Sequence, residues 1–210
     1  LMVEIRDDTE RMRYVRLLNH YNTELENAVQ EKTEHISKMQ DQILLGVADM
    51  IEGRDSSTGG HVKRTSDVVR IFTGELEESE IQYGFSKEFL DYVAKAAPMH
   101  DLGKITVDDR ILRKPGKFTP EEFEEMKNHA GRGGEIVARV LCGVEDETFI
   151  HIAENMAHYH HEKWDGSGYP DHLSGAGIPL EARIMALADV FDALGSRRCY
   201  KESMDYDTAV

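Results

Sequence analysis

The sequence predicts an all-α protein, a helical bundle preceded by one long N-terminal helix. Three observations carry this. Strand-type alternation of apolar and polar residues is absent. Apolar residues recur at helical spacing in 62–76, 87–99, 120–128, 135–141, 147–160 and 180–194. Before them, a heptad pattern runs from Val15 to Ile43.

In that heptad Val15, Asn22, Val29, Ile36 and Ile43 take one core position, and Leu18, Leu25 and Met39 take the other, over about four heptads. Asn22 is a polar seam residue, which favours a parallel dimer in fixed register at some cost in stability. Lys32 stands where the pattern wants leucine. Two readings follow: a homodimeric coiled coil over residues 1–44, which is the favoured one, or an amphipathic helix packed on its own domain. After Ile51 the run EGRDSSTGGH gathers Asp55, two serines, Thr58 and two glycines, and predicts a loop. Thr119-Pro120-Glu121-Glu122 combines an N-cap residue, a proline at the first helical position and acids in the first turn, so a helix starts there.

The 210 residues suffice for one domain with a sizeable core. Forty acidic against 25 basic residues give a net charge of -15, which argues against broad DNA, RNA or anionic-membrane surfaces. Any anionic substrate must find a local positive site. No stretch reaches the ~18 uncharged apolar residues of a membrane span. Cys142 and Cys199 have neither CxxC spacing nor scaffold density, which suits a reducing compartment, with the cytoplasm as the expected location. The opening on Leu1 and the end in mid-pattern at DYDTAV lead to the expectation of an excerpt from a longer chain.

Histidines and aspartates recur along the bundle at His61, His100-Asp101, His129, His160-His161 and Asp189. A lone histidine is more often a hydrogen-bonded core or surface residue, but two doublets in one set point to ligands. Mixed imidazole and carboxylate donors suit iron, manganese, zinc or nickel and exclude a thiolate site.

His61, His100-Asp101 and Asp189 resemble the H…HD…D pattern of HD-superfamily phosphohydrolases, and HHEKWDGSGYP resembles the signature of its HD-GYP branch. The resemblance covers about residues 45–201 through TGGHVKRT, MHDLGKI, ILRKPGKFT, MKNHAGRGG, HHEKWDGSGYP and RIMALADVFDALGSRRCYK, and assigns 45–210 to an HD-GYP domain. The best-known activity of that family is cyclic di-GMP phosphodiesterase.

The resemblance implies a site of two divalent ions per chain, iron or manganese first and nickel or zinc next. Its ligands would be His61, His100, Asp101, His129, His160, His161 and Asp189, with Asp101 as the bridge. It places Lys104 on the scissile phosphate or the attacking water, and Arg198 and Lys201 on substrate phosphates with Asp192 in support. Some members hold a third metal through a glutamate four residues before the first ligand histidine. Here that position is Ser57, so two metals are expected, although Glu52 and Asp55 lie near in sequence. Gly166 and Gly168 permit close approach of the loop to a ligand, Pro170 stiffens its exit, and Tyr169 is the expected stacking surface for a guanine. His151, His158 and His172 match no ligand position, and Trp164 is expected to anchor the loop in apolar surface.

The function implied is hydrolysis of cyclic di-GMP to linear pGpG and onward to GMP, as output of a signalling protein with an upstream receiver or sensor. The alternatives are a non-catalytic cyclic di-GMP sensor or docking module, and a hydrolase of another cyclic dinucleotide. For the coiled coil the expected outcome is that a chain begun at Gln42 runs as a monomer on sizing where the full chain runs as a dimer. An unchanged oligomeric state would assign the helix to its own domain.

Overall fold

A computed structural model of the chain describes residues 9–55, 59–79 and 84–195. Among them there is no strand, and seven α-helices follow in order: α1 (Thr9–Glu52), α2 (His61–Glu78), α3 (Lys87–Ala96), α4 (Asp109–Leu112), α5 (Pro120–Val140), α6 (Glu147–Tyr159) and α7 (Leu180–Gly195). Short 3₁₀ turns lie at Ala97–Met99, Leu102–Thr106 and Gly175–Gly177. The chain divides into two compact units between Ile43 and Leu44.

In the first unit every residue from 10 to 36 is exposed, including the heptad residues Val15, Leu18, Leu25, Val29 and Ile36. In the second unit the end of α1 changes character: Leu44, Leu45, Val47, Ala48 and Ile51 pack into the core.

That core is built by α2, α3, α6 and α7 around Met99, Met156 and Met185, with Val69, Val93, Ala96, Ala153, Ala157 and Ala188 between them. Small alanines let the helices approach closely, and the unbranched methionines fill the irregular space that remains. α5 packs on α6 and on the 3₁₀ turn after Asp101.

The start of α5 is as the sequence predicts. Thr119 Oγ1 accepts from the Glu122 backbone N–H at 3.3 Å, and the Glu122 carboxylate accepts from the Thr119 N–H at 2.7 Å, with Pro120 at the first position. Two boundaries differ from the sequence reading. The stretches 120–128 and 135–141 form one helix, because Gly133 and Gly134 are buried against α6 and their packing outweighs their low helix propensity. The stretch 87–99 divides at Ala96, where the Pro98 segment tightens into a 3₁₀ turn that delivers His100.

Gly103 has a steric reason. A Cβ at this position would lie 1.8 Å from the His129 carbonyl oxygen. The turn carrying His100, Asp101 and Lys104 therefore rests directly on the backbone of the helix carrying His129. Gly103→Ala is expected to lower unfolding free energy by at least about 2 kcal/mol, as overpacking against rigid backbone does. Chemical denaturation measures this, and a change within about 0.5 kcal/mol would contradict the contact.

Candidate metal centre

The site residues come from separate elements. His61 opens α2, His100 and Asp101 join two 3₁₀ turns, His129 lies within α5, and Asp189 lies on α7. His160 and His161 follow directly on α6, whose last helical residue is Tyr159. Neighbouring residues on a helix point about 100° apart. His160 keeps helical backbone angles, and both rings nevertheless turn to the same place, with centroids 4.0 Å apart.

Asp101 stands at the middle. Its Oδ1 lies 3.5 Å from His129 Nε2 and 3.7 Å from His160 Nε2. Its Oδ2 lies 3.4 Å from His100 Nε2, 3.9 Å from His61 Nε2 and 2.7 Å from the Lys104 ammonium. Asp189 Oδ1 reaches His61 Nε2 at 3.5 Å, and His161 Nε2 faces His129 Nε2 at 3.1 Å. The donor atoms thus form two groups that share Asp101: one with His129, His160 and His161, the other with His61 and His100.

The imidazole orientations are fixed from behind. His100 Nδ1 pairs with the Ala97 carbonyl at 2.8 Å, His129 Nδ1 with that of Met126 at 2.6 Å, and His160 Nδ1 with that of Ala157 at 3.0 Å. His61 Nδ1 pairs with Asp192 Oδ2 at 2.7 Å. Carbonyl oxygens only accept, so in His100, His129 and His160 the proton is on Nδ1 and the Nε2 lone pair faces Asp101. His100 Nε2 and His160 Nε2 are buried with no hydrogen-bond partner. Lone pairs aimed at a partly buried carboxylate are a poor arrangement alone and a good one around a cation, so the donor set fits divalent metal.

The charges agree with this. Burial would raise the Asp101 carboxyl, but the Lys104 ammonium and the nearby imidazoles hold it well below the usual carboxylate range. Burial opposes the charge of Lys104 too, yet Asp101 and Asp55 outweigh it and keep the ammonium protonated. Burial lowers His129 and carries His160 well below the imidazole range; burial and the neighbouring His129 bring His161 to about 3. Neutral imidazole is the ligating form.

The remaining sequence candidates are placed as follows. Gly168 is buried, and a Cβ there would meet the backbone of Glu162 and Lys163 at 2.4 Å, so this glycine serves closure of its own loop. The Tyr169 ring packs beside His161 with centroids 4.8 Å apart, near Phe123 and with the Lys127 ammonium 5.8 Å from its centroid. Pro170 follows through a cis peptide bond. Asp192 is buried behind His61, with its oxygens taken by His61 and by Arg64 Nε at 2.5 Å. Glu52 is also committed, accepting from the His61 and Val62 N–H groups. Asp55 Oδ2 lies 3.5 Å from Lys104 Nζ. His158 pairs with Asp171 at 3.2 Å, away from the cluster. Trp164 is largely exposed and lies over the Arg183 guanidinium rather than in apolar surface. Ser57, Arg198 and Lys201 lie outside the described residues.

Sequence reading missed Arg64, Glu162 and the anchoring role of Asp192. Glu162 is buried and accepts from the Asp171 N–H at 2.7 Å, which ties the loop after His161 closed. Arg64 follows His61 by one helical turn, but its partner lies 128 residues away, and no local pattern shows such a pair.

The HD-domain family model matches residues 25–210. The chain is an HD domain of the HD-GYP type. HD domains are metal-dependent hydrolases, and this HD-GYP chain holds a cluster able to bind metal. It is 43% identical over 196 residues, 92% of this chain and 44% of the other, to a probable cyclic di-GMP phosphodiesterase of Vibrio cholerae serotype O1. It is 41% identical over 186 residues, 89% of this chain and 46% of the other, to the cyclic di-GMP phosphodiesterase response regulator RpfG of Xanthomonas campestris. A 3'3'-cGAMP-specific phosphodiesterase of Vibrio cholerae is 40% identical over 161 residues, 77% of this chain and 28% of that protein. The HD-GYP chain therefore spans less than half the length of these relatives. Among the described residues no helix is long and apolar enough to cross a membrane.

The buried imidazoles make stability of the metal-free chain depend on pH. An unfolded chain takes up these protons near the ordinary imidazole value of about 6.5. The stability held by His129, His160 and His161 is therefore complete above that value and is lost as pH falls toward their lower folded values. His100, raised by Asp101 against its burial, acts in the opposite sense, one group against three. The melting temperature of the metal-free chain is expected to drop between about pH 7 and about pH 5, and a flat or rising profile would contradict the burial described.

Proposed function

We propose that this HD-GYP domain hydrolyses cyclic di-GMP to linear pGpG, with GMP as the further product. Two divalent ions per chain, iron or manganese first and nickel or zinc next, would be held by His61, His100, Asp101, His129, His160, His161 and Asp189. The observation that carries this reading is one partly buried carboxylate whose two oxygens face two groups of imidazole nitrogens, two of those nitrogens having no partner. Bound ions would neutralise charge on the phosphodiester and provide a nucleophile at neutral pH.

The chain's own residues prepare the site for an anion. Lys104 keeps a charged ammonium against Asp101, next to where the scissile phosphate must lie. In this reading Lys104 is joined by Arg198 and Lys201 in answering the net charge of -15, since a few cations at one site suffice to hold an anion on an acidic chain. Tyr169, its hydroxyl kept protonated by burial and by Asp101 and Asp189, backs His161 and offers ring surface to a base. Gly168 and Pro170 shape that loop. Asp192, expected on the substrate, acts on it through His61, because its oxygens are already engaged.

The 3'3'-cGAMP-specific relative supports a second reading, in which the substrate is another cyclic dinucleotide. A pure sensor would have no need of a complete donor set. Relatives about twice as long, one of them a response regulator, support an upstream receiver or sensor. The exposed heptad face of α1 supports a homodimer, and the cytoplasm is the proposed location.

The test is incubation of anaerobically metal-loaded protein with cyclic di-GMP and with 3'3'-cGAMP, products being separated by chromatography. Cyclic di-GMP is expected to yield pGpG; binding without turnover under iron, manganese and nickel would favour the sensor. Asp101→Ala is expected to lose metal and turnover together, whereas Arg198→Ala chiefly raises KM. An Asp101→Ala chain with its metal content intact would end the bridging assignment.

A further inference from the structure

The last residue of α1 and two residues just after it contact the segments behind the metal centre at three points. Glu52, the last residue of the helix, is buried, and its Oε1 and Oε2 accept from the backbone N–H groups of His61 at 2.9 Å and Val62 at 3.0 Å. The residue before α2 is Gly60, which has no side chain to cap these groups, so a carboxylate from another helix does it. Two residues later the Arg54 guanidinium donates to the carbonyls of Ile105 at 3.1 Å, Val107 at 3.2 Å and Lys104 at 3.4 Å, and to Asp109 Oδ1 at 2.6 Å. Asp55 then stands 3.5 Å from the Lys104 ammonium.

We infer that Glu52 and Arg54 are positioning residues of the centre, Glu52 setting the turn that presents His61 Nε2 to Asp101 and Asp189, and Arg54 setting the turn that keeps Lys104 on Asp101. This rests on the metal-centre reading above. Neither residue reaches the donor cluster itself. A carboxylate is needed at position 52 because two N–H donors converge on two acceptor oxygens. Glutamine has one acceptor and turns an amide N–H onto the second donor, which must displace the first turn of α2. Arg54 binds carbonyls spread over four residues of one turn, a geometry that the planar fork of arginine spans and the single ammonium of lysine does not.

The effects are separable because the two residues serve different parts of the centre. Titration of wild-type protein with manganese(II) is expected to fill two sites. Glu52→Gln is expected to keep its helical circular dichroism and one site of wild-type affinity, while the site served by His61 weakens by about tenfold or more, as changes behind a ligand histidine do. Arg54→Ala is expected to keep both sites and lower kcat on cyclic di-GMP about tenfold with little change in KM, with Arg54→Lys recovering only part. A purely stabilising role would lower the melting temperature of Glu52→Gln and leave both manganese affinities at wild-type values, and that result overturns the inference while the metal centre stands. Failure of the wild type to bind manganese at all overturns the metal-centre reading itself.

Discussion

A partly buried carboxylate shared between two groups of imidazoles is the constraint on which the second unit of this protein depends. Removing Asp101 from water disfavours its charge, and only close cations or polar donors make the ionised form tolerable. Lys104 supplies one cation from the next turn. The remaining surroundings must come from distant sequence, so α2, α5 and the residues that follow α6 bring ligand-type side chains to the same point, and α7 sets Asp189 against His61. The alanine-rich, methionine-filled core behind them allows that convergence.

Most of the ligand orientation is obtained from the backbone at close range. His100, His129 and His160 each set Nδ1 on the carbonyl three residues earlier, which is within reach wherever helical residues precede the histidine. His61, as the first residue of its helix, has no preceding helical carbonyl to use. It depends instead on Asp192, which Arg64 in turn holds. Position in a helix thus decides whether a ligand histidine needs a side-chain partner.

Contacts behind the ligands explain glycines and acids that a list of ligands leaves aside. Gly103 lets the Asp101 turn lie on the His129 backbone, and Gly168 lets the loop after His161 close on its own start. Glu162 ties that loop, and Glu52 caps the helix of His61. Gly168 is therefore a packing requirement before it is anything for a ligand, and Glu52 is not a spare carboxylate for another metal.

The helical class, the end of the long first helix near Ile51, the helix start at Thr119 and the histidines and aspartates that gather at one point were legible in the sequence. These rest on local periodicity, local hydrogen bonds and residue chemistry. The continuity of α5 through its glycines was not legible, because propensity there yields to burial against α6. Nor were the Arg64–Asp192 and Glu52–His61 pairs, whose members mean little until folding joins them. The sequence by itself determined which side chains are able to bind metal and that the scaffold is helical, since composition and period are local properties. Only the tertiary structure decided that Asp101 is shared, that His160 and His161 turn the same way, and that Asp192 and Glu52 face inward to orient ligands. Those are distances between elements far apart in the chain, and packing alone sets them.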